Sequence, residues 1–513
     1  MKKKKREPGV VHLVGAGPGD PELITLRGRR RLEQADVVLH DYLASDELLA
    51  FAPLSADRVC MGEPGRGKTW PQTEINQRIV AEALAGKTVV RLKGGDPSVF
   101  GRLAEEIAAC RAAGLRFEIV PGVSTAVAAG AYAGVTITDR DRASAVTFVT
   151  GHEQPGKSGE VTLDFKALAG TPGTLVVYMA AAKAARWSEA LLDAGKPSDT
   201  PVAIVRRCSL PDQTSTLTTL GEVGVLAASG DLRPPLIAVI GDVSAPDGVA
   251  DWFTGRPLFG RTVVVTRPLD QAKGMADRLR DAGARVLLQP TIEIGPPDTW
   301  RQVDDAIDQL SDYHTVVFSS RNGVSWFFRR LKSRGFDARC FGRANLAAIG
   351  PATAEALAFW RLRPDIMPDE YRAEALVEEL RHEVNGERVL LVRASRGREV
   401  LRDQLAEAGA TVDQVVVYHS HDLQSADPEV LEEIAAGRVD WITATSSAIA
   451  RSAVRLFGDS LAVAKQSGNT PRFAAISPLT AGALSDCGWP AAAVAERYTA
   501  DGVVDALLQA EPC

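Results

Sequence analysis

Short β-rich runs alternate with longer helical patterns in the first half of the chain. The predicted strands are 10–14, 36–41, 88–92 and 117–120, and the predicted helices are 22–35, 71–84, 105–113 and 126–133. Strands that alternate with helices indicate a parallel sheet, whose ligands bind at the carboxyl ends of the strands. The pattern restarts near residue 144 and predicts a second α/β lobe, with β runs at 146–152, 174–179, 201–205 and 236–241.

The second half of the chain repeats itself. The stretches 261–286, 316–320, 347–353 and 371–374 parallel 387–412, 442–447, 474–480 and 498–501. Each repeat has strand, helix, strand and helix, which predicts two similar parallel-sheet lobes facing each other. Several predicted strands end in hydroxyl residues, namely Ser319, Ser320, Ser446, Ser447 and Ser477. Such ends present backbone N–H groups and helix N-termini, which bind carboxylates without much net positive charge.

Composition and charge narrow the function classes. A chain of 513 residues is too long for one core. Its net charge of −6 excludes a generally basic nucleic-acid binder, and no apolar run is long enough to span a bilayer. Six scattered cysteines without a C-x-x-C pair fit reduced thiols and argue against a zinc site or a disulfide framework. We therefore expect a cytoplasmic protein, and we interpret the basic run 2–6 as a solvated tail.

Two glycine-rich turns follow predicted strands in the first half, at Gly15–Pro21 and Gly94–Pro97. Glycine lets the backbone approach a ligand closely, and proline ends the strand. An acid set against free backbone N–H groups suits a polar ligand with a hydroxyl or cationic part, whereas it would repel a bare phosphate. Because Asp20 stands where a dinucleotide fingerprint has its third glycine, we exclude NAD binding by the first turn.

The motifs of the first half resemble those of uroporphyrinogen-III C-methyltransferase over about residues 10–245. The matching stretches, in family order, are Gly15–Pro21, Val38–Asp41, Pro71–Asn76, Arg91–Pro97, Phe100–Arg102, Thr147–His152 and Tyr178–Met179. The resemblance implies the tetrapyrrole methylase fold, a homodimer, and S-adenosylmethionine (SAM) as the methyl donor. It also implies methylation of uroporphyrinogen III at C2 and C7 to precorrin-2, in cobalamin and siroheme biosynthesis.

This resemblance also implies site residues. Around SAM it places Pro18, Gly94, Gly95, Asp96, Val99, Ser124, Thr125, Met179 and Cys208. Asp41 matches an acid that faces the tetrapyrrole, where a carboxylate can accept the proton that leaves after methylation. Arg102 is the candidate partner of a substrate carboxylate, and Met179 completes the catalytic set. The alternatives are that Asp41 caps the next segment, Met179 is core, and Arg102 makes a surface ion pair.

Three positions depart from this family pattern. Glu63 stands in place of a basic residue near the substrate mouth, and Leu103-Ala104 in place of two glycines. Arg207-Cys208-Ser209 replaces Asn-Gly-Thr beside the adenosine. These departures leave open a methylase half that binds SAM but turns over weakly. A tetrapyrrole-binding regulatory module is a further alternative, which no helix-turn-helix pattern or basic domain supports.

The second half resembles uroporphyrinogen-III synthase over about residues 260–510, through Thr266–Pro268, Phe318–Val324, Ile349–Thr353 and Val416–Tyr418. The resemblance implies conversion of hydroxymethylbilane to uroporphyrinogen III, with loss of water, inversion of the last pyrrole and ring closure. It also implies that the first strand–helix unit and the C-terminal stretch share a lobe.

Tyr418 matches a tyrosine proposed to help the hydroxyl leave, which a phenol can do by donating a hydrogen bond. The alternative is that this tyrosine packs the hinge between the lobes. We take Arg267 and the five strand-end serines as substrate-binding. His419 and His421 alternate on a strand without a carboxylate partner, so we expect no metal there.

The two resemblances predict one enzyme with two α/β halves. We expect the methyltransferase at 8–245, a linker at 246–260, and the synthase at 261–513. The product of the second half would then be the substrate of the first.

Overall fold

A computed structural model of the chain describes residues 7–63, 68–152, 163–396 and 399–511. The chain divides into two compact units, with the boundary between Gly260 and Arg261. The predicted basic tail at 2–6 and the side chain of Glu63 lie outside the described residues.

The first unit begins with a five-stranded parallel sheet and a small ribbon. Their strands are β1 (Val10–Gly15), β2 (Val37–His40), β3 (Asp57–Cys60), β4 (Gly62–Glu63), β5 (Lys68–Thr69), β6 (Val89–Lys93) and β7 (Arg116–Val120). The helices of this lobe are α1 (Leu26–Leu32), α2 (Gln72–Leu84) and α3 (Leu103–Ala112). The sheet order is β3-β2-β6-β1-β7, and β2 and β6 are buried throughout, as central parallel strands are. The predicted alternation is confirmed, and the edge strand β3 is an addition.

The second lobe of this unit has a mixed sheet. It contains α4 (Thr125–Tyr132), β8 (Val146–Thr150), α5 (Phe165–Ala169), β9 (Thr174–Tyr178), α6 (Ala184–Asp193), β10 (Pro201–Arg206), β11 (Thr214–Thr219), α7 (Val223–Ala228) and β12 (Leu236–Ile240). The order is β11-β10-β12-β9-β8, in which only β8 and β9 run parallel. Strand β11 escaped prediction because it is rich in exposed threonines and lacks a buried apolar run.

Residues 246–260, predicted as a linker, pack against the first unit. Phe253 and Leu258 are buried, and the Phe253 ring meets Tyr132 edge-on with a centroid distance of 4.7 Å. The Trp252 indole N–H donates to Ala131 O at 2.8 Å. The prolines and glycines of this segment suggested an open connection, but its aromatic side chains supply enough apolar surface to anchor it.

The second unit contains ten strands and ten α-helices within its described residues. The strands are β13 (Thr262–Val265), β14 (Arg285–Leu288), β15 (Ile292–Gly295), β16 (Thr315–Phe318), β17 (Asn345–Ala348), β18 (Arg388–Ala394), β19 (Thr411–Asp422), β20 (Trp441–Ala444), β21 (Arg472–Ala475) and β22 (Ala491–Val494). The helices are α8 (Leu269–Asp281), α9 (Arg301–Asp308), α10 (Arg321–Ser333), α11 (Pro351–Phe359), α12 (Ala373–Leu380), α13 (Val400–Glu407), α14 (Pro428–Ala435), α15 (Ser447–Gln466), α16 (Pro478–Asp486) and α17 (Ala500–Ala510). None of the helices described in either unit is both long and apolar enough to cross a bilayer.

The repeats of the second unit are shuffled between its two lobes, as the resemblance implied. One sheet has the order β14-β13-β20-β21-β22 and the other β15-β19-β18-β16-β17. The chain crosses between the lobes before β15 and after β19. Leu423 N–H donates to Thr291 O at 3.0 Å, which ties the two crossings together. The first strand–helix unit therefore shares a core with the last three strands.

Candidate active sites

The glycine-rich turns that follow β1 and β6 bond to each other. Gly95 N–H donates to Gly17 O at 2.7 Å, and Gly17 N–H donates to Gly95 O at 3.2 Å. Gly17 has a φ of 79° and Gly95 a φ of 66°, both in the left-handed region that glycine adopts without strain. The turn after β7 closes on the same place, because a Cβ on Gly122 would lie 2.3 Å from Gly95 O. Three strand ends therefore meet here, backbone against backbone.

The acids of these turns brace the loops. Asp96 Oδ2 accepts Gly122 N–H at 3.0 Å, and its Oδ1 accepts Ser98 N–H at 2.8 Å. Asp20 Oδ2 accepts the Tyr132 hydroxyl at 3.1 Å. Both carboxylates therefore accept hydrogen bonds from protein donors, and direct contact of Asp96 with a ligand stays a prediction.

Open space lies in front of Gly94. A Cβ placed there would meet only Leu43 Cβ, at an ordinary contact distance of 3.7 Å. A Cβ on Gly95 would instead approach Thr125 Oγ1 to 3.2 Å. Gly94 thus faces space that only Leu43 borders, whereas the Thr125 hydroxyl lies beside Gly95. This arrangement fits a closely held nucleoside such as SAM.

Two alanine substitutions distinguish the role of this space in ligand binding from the role of close loop packing in stability. In Gly94→Ala the fold should persist, and the added methyl should weaken SAM binding by about 10-fold, because it occupies the open space. Gly122→Ala should instead lower the melting temperature by about 5 °C, because its Cβ would press on the Gly95 carbonyl. Calorimetric titration with SAM and thermal melting measure the two effects. Unchanged SAM affinity in Gly94→Ala would contradict the assignment of this space.

The second lobe reaches this edge through Tyr178, the last residue of β9. Its hydroxyl lies 2.6 Å from Ser124 Oγ and accepts Ala126 N–H at 3.2 Å, at the start of α4. Burial raises the pKa of Tyr178, so its hydroxyl stays protonated. Met179 follows with a left-handed φ of 53° and is 47% exposed, so the alternative that it is core is wrong.

Cys208 lies in a strained turn after β10. Its neighbours Arg207 and Ser209 have positive φ values of 50° and 65°. Burial raises the pKa of Cys208 to about 12, and its side chain packs into the core of the second lobe. Ser209 Oγ accepts Asp20 N–H at 3.0 Å, which joins this turn to the first glycine turn. The side chain that replaces the family's glycine therefore points into the protein.

Most of the predicted cofactor residues are brought to this one edge of the first unit. Val99 N–H donates to Asp96 O at 3.2 Å, which closes the turn after Gly95. The contacts above gather Gly94, Gly95, Asp96, Val99, Ser124 and Thr125 here, and Pro18 and Met179 directly follow Gly17 and Tyr178 in the chain.

Asp41 follows β2 and borders the open space. Its carboxylate pairs with the buried Arg91 guanidinium, and its Oδ2 accepts Gly94 N–H at 3.3 Å. The Asp41 side chain is 28% exposed, so it can still accept a proton from a bound substrate. The alternative that Asp41 caps the next segment is wrong, because the next segment is a short 3-10 helix at Asp46–Phe51 whose N-cap is Ser45.

A buried network of charged side chains holds Arg91, the ion-pair partner of Asp41. Glu106 Oε1 accepts hydrogen bonds from Arg91 Nε at 3.1 Å, Lys93 Nζ at 2.9 Å and Gln72 Nε2 at 3.3 Å. Burial, with a further contribution from Arg91, lowers the pKa of Lys93. None of these residues was predicted as a site residue. The available signal was the pair of cations in β6, since charges are rarely buried unless paired.

Arg102 lies at the start of α3 in a left-handed conformation with a φ of 54°. Its guanidinium donates to both carboxylate oxygens of Glu105, at 2.7 Å and 2.8 Å. This is the surface ion pair of the alternative interpretation. Because such exposed pairs contribute little, the guanidinium remains free to exchange partners, and its role toward the substrate stays a prediction.

In the second unit, Tyr418 lies on β19 near the crossing between the lobes. Its hydroxyl is 3.1 Å from Ser320 Oγ, which also accepts Gly323 N–H at 3.0 Å and so caps α10. Burial raises the pKa of Tyr418, while Ser320 and Asn322 act in the opposite direction. The tyrosine therefore packs the hinge region and also presents a protonated hydroxyl to polar neighbours.

Arg267 is a buried cation without a carboxylate partner among the described residues. It is 9% exposed, and its Nη2 reaches Gln271 Oε1 at 3.4 Å. Burial, followed by the nearby Arg321, lowers the pKa of Arg267. Asp270 acts on Arg267 only at a distance, and a buried guanidinium without a carboxylate in ion-pair contact suits a planar carboxylate of a ligand.

The other candidate hydroxyls of this unit are engaged by the protein. Ser446 Oγ accepts Ile449 N–H at 3.2 Å, Ser477 Oγ accepts Thr480 N–H at 3.3 Å, Ser447 Oγ donates to Leu479 O at 3.3 Å, and Ser319 Oγ donates to Val392 O at 3.1 Å. The groups that remain available to a ligand here are the backbone N–H groups at the starts of the helices. No cluster of three or more His, Cys, Asp or Glu among the described residues could hold a metal ion.

Comparisons with known proteins match both halves. The family model for tetrapyrrole (corrin/porphyrin) methylases matches residues 10–224, and that for uroporphyrinogen-III synthase HemD matches 273–505. The porphyrin biosynthesis protein HemD of Ruminiclostridium josui is 32% identical over 511 residues, 98% of both chains. The uroporphyrinogen-III C-methyltransferase of Bacillus subtilis is 36% identical over 381 residues, 73% of this chain and 76% of that protein.

Two further matches cover the first half. The S-adenosyl-L-methionine-dependent uroporphyrinogen III methyltransferase of Methanosarcina barkeri is 45% identical over 235 residues, 46% of this chain and 92% of that protein. The uroporphyrin-III C-methyl transferase of Thermus thermophilus, complexed with S-adenyl homocysteine, is 36% identical. That structure covers 46% of this chain and 94% of its own, with a TM-score of 0.40.

The two family models and the relatives from Ruminiclostridium josui and Bacillus subtilis confirm both resemblances, and the structure itself shows the α/β fold class of each half. The two family models occur in the order that the motifs predicted, and one relative matches along nearly its whole length. The chain therefore belongs to the family of tetrapyrrole-biosynthesis enzymes in which a tetrapyrrole methylase domain is followed by a uroporphyrinogen-III synthase domain.

Proposed function

We propose that residues 261–513 convert hydroxymethylbilane to uroporphyrinogen III, and that residues 8–245 methylate this product at C2 and C7 with SAM to precorrin-2. The names of the relatives and the two family models support these substrates. The observation that carries the proposal is the open space over Gly94, bordered by the Asp41 carboxylate. It joins a backbone cradle for a nucleoside to an acid that can take up a proton.

The methylase unit works mainly by alignment. SAM, when bound, supplies an electrophilic methyl group on its sulfonium. The glycine turns and the Ser124–Tyr178 contact fix the geometry of the cradle, and good alignment is worth about 7–11 kcal/mol. Asp41 accepts the proton that the substrate loses after methylation, while Arg91 holds the carboxylate in place. Arg102 exchanges Glu105 for a substrate carboxylate at the rim.

The synthase unit combines a donor with an anion site. Tyr418 donates a hydrogen bond to the departing hydroxyl of hydroxymethylbilane, because burial keeps its phenol protonated. Arg267 binds a substrate carboxylate, which supplies the anion that it lacks among the described residues. Helix starts after Ser319, Ser320, Ser446, Ser447 and Ser477 contribute further backbone N–H groups.

We also propose that the protein is a cytoplasmic homodimer that associates through its methylase unit. Large apolar side chains of this unit are exposed, Leu26 by 80% and Leu54 by 98%. Such residues are suited to an interface, although single exposed ones are common. Sedimentation equilibrium of the full chain should give twice the monomer mass of 54.7 kDa. A monomer at micromolar concentration would refute the dimer.

The experiment supplies the purified protein with hydroxymethylbilane, with and without SAM, and identifies the products. Uroporphyrinogen III should form in both reactions, and methylated product only when SAM is present. Saturating SAM should also raise the melting temperature, since a ligand at 100 times its Kd stabilises by about 2.7 kcal/mol. Uroporphyrinogen III without methylation, despite that shift, would support the weakly active methylase instead. No conversion of hydroxymethylbilane would refute the synthase assignment.

A further inference from the structure

A chain of hydrogen bonds crosses between the two lobes of the second unit. Arg267 Nη2 donates to Gln271 Oε1 at 3.4 Å, and Gln271 Nε2 donates to Asn322 Oδ1 at 3.0 Å. Asn322 lies two residues after Ser320, whose Oγ is 3.1 Å from the Tyr418 hydroxyl, and the Asn322 amide acts on that hydroxyl by lowering its pKa. Arg267 and Gln271 follow β13 in one lobe, whereas Asn322 and Tyr418 belong to the other. The buried cation and the candidate catalytic phenol are therefore connected through two side-chain amides.

The direction of this chain is fixed at its arginine end. A guanidinium has only donors, so the Gln271 amide must turn its oxygen toward Arg267 and its nitrogen toward Asn322. The Asn322 oxygen accepts that N–H, which leaves its own NH₂ group to face Tyr418. Asn322 accordingly acts to lower the pKa of Tyr418, as a donor to the phenol oxygen does. The hydroxyl proton of Tyr418 is then not needed by Asn322 and can be donated elsewhere.

We propose that Gln271 and Asn322 are positioning residues that orient Tyr418 as a hydrogen-bond donor and couple it to Arg267 across the lobes. This inference rests on the proposed synthase reaction. No proton moves along this series of hydrogen bonds. The two amides set only the direction in which the Tyr418 O–H points. A substrate carboxylate on Arg267 would thereby favour the same hydrogen-bond direction that the departing hydroxyl requires.

The internal repeat shows that this amide is not needed to start the helix. By the alignment of the repeats, Ser320-Arg321-Asn322 corresponds to Ser446-Ser447-Ala448. Ser446 caps α15 through the N–H three residues on, as Ser320 caps α10, although the position equivalent to Asn322 is alanine. The fold thus tolerates alanine at this place, and the asparagine is left to serve the site.

The test compares Asn322→Ala and Asn322→Asp in the full chain, assayed for uroporphyrinogen III formation from hydroxymethylbilane. We expect Asn322→Ala to lower kcat by about 10-fold with little change in KM, since it removes orientation rather than binding. Asn322→Asp should lower kcat at least as much, because a carboxylate only accepts hydrogen bonds and would engage the Tyr418 O–H that the departing hydroxyl needs. In a Tyr418→Phe background, either change should have little further effect. Asn469→Ala removes an amide from an exposed turn and is the control.

The results separate this inference from the function on which it rests. Wild-type activity in Asn322→Asp, or an undiminished effect of Asn322→Ala in the Tyr418→Phe background, would overturn it and leave the synthase assignment intact. If the wild-type protein itself forms no uroporphyrinogen III, the proposed function fails and the inference fails with it. A thermal melt of each variant excludes misfolding as the cause of any loss.

Discussion

Asp41→Asn should lower the rate of methyl transfer to uroporphyrinogen III by about 10²–10⁴-fold while SAM still binds. The amide keeps the shape of the side chain but cannot take up the proton that the methylated ring must lose. Arg91 keeps hydrogen bonds to Glu106, Leu39 O and Leu92 O, so its guanidinium is not left without partners. Single-turnover assays measure the rate, and calorimetric titration measures SAM affinity.

The matched control for this variant is Asp46→Asn, an exposed acid in the short helix that follows. It makes the same chemical change a few residues away and should retain wild-type turnover. If Asp41→Asn turned over normally, the proton would be leaving by another route. Loss of SAM binding together with turnover would assign Asp41 to the cradle rather than to proton transfer.

Tyr418→Phe should lower the rate of uroporphyrinogen III formation by about 100-fold or more. The ring remains in the core cluster of its lobe, so the substitution removes only the hydroxyl. A substrate molecule whose last pyrrole is not inverted on the enzyme would close to the symmetric isomer. The ratio of uroporphyrinogen III to the symmetric isomer in the product should therefore fall. Chromatographic separation of the two isomers measures this ratio alongside the rate.

Tyr313→Phe is the control for the second variant. Tyr313 is a buried tyrosine of the same lobe, and its hydroxyl donates to Asp413 Oδ2 at 2.9 Å. It precedes β16, at the opposite end of the sheet from Ser320. Both variants lose a buried hydrogen bond, which costs about 1 kcal/mol, but only Tyr418→Phe should lose activity. Equal activity losses would reduce Tyr418 to a packing residue of the hinge.

The sequence predicted the strands that end at the sites, because glycines and hydroxyl residues directly follow buried apolar runs. It also predicted the shuffled lobes, through the family resemblance. It did not predict that Asp20 and Asp96 accept hydrogen bonds from Tyr132 and Gly122, because these partners are distant in sequence. The pairing of Glu106 with Arg91 was not predicted either, because the periodicity of apolar residues does not show which face of α3 meets β6.

The packing of segment 246–260 against the first unit was not predicted, because its partners Tyr132 and Ala131 are distant in sequence. Strand β11 was missed because alternating threonines give no apolar signal. The Gln271–Asn322 contact joins residues 51 positions apart on two different lobes. Such contacts depend on how complete lobes pack, which local pattern does not contain.

The shuffled sheets of the second unit have a consequence for how the protein is made. On the ribosome, the lobe that holds β16–β19 has all its strands once residue 422 has been added. By contrast, β13 and β14 are translated first but must wait for β20–β22 before their sheet is complete. A nascent chain stalled after residue 422 should therefore display one finished lobe of this unit and, before it in sequence, the strand–helix–strand segment β13–α8–β14 without its neighbouring strands. That segment is the stretch that chaperones would need to shield.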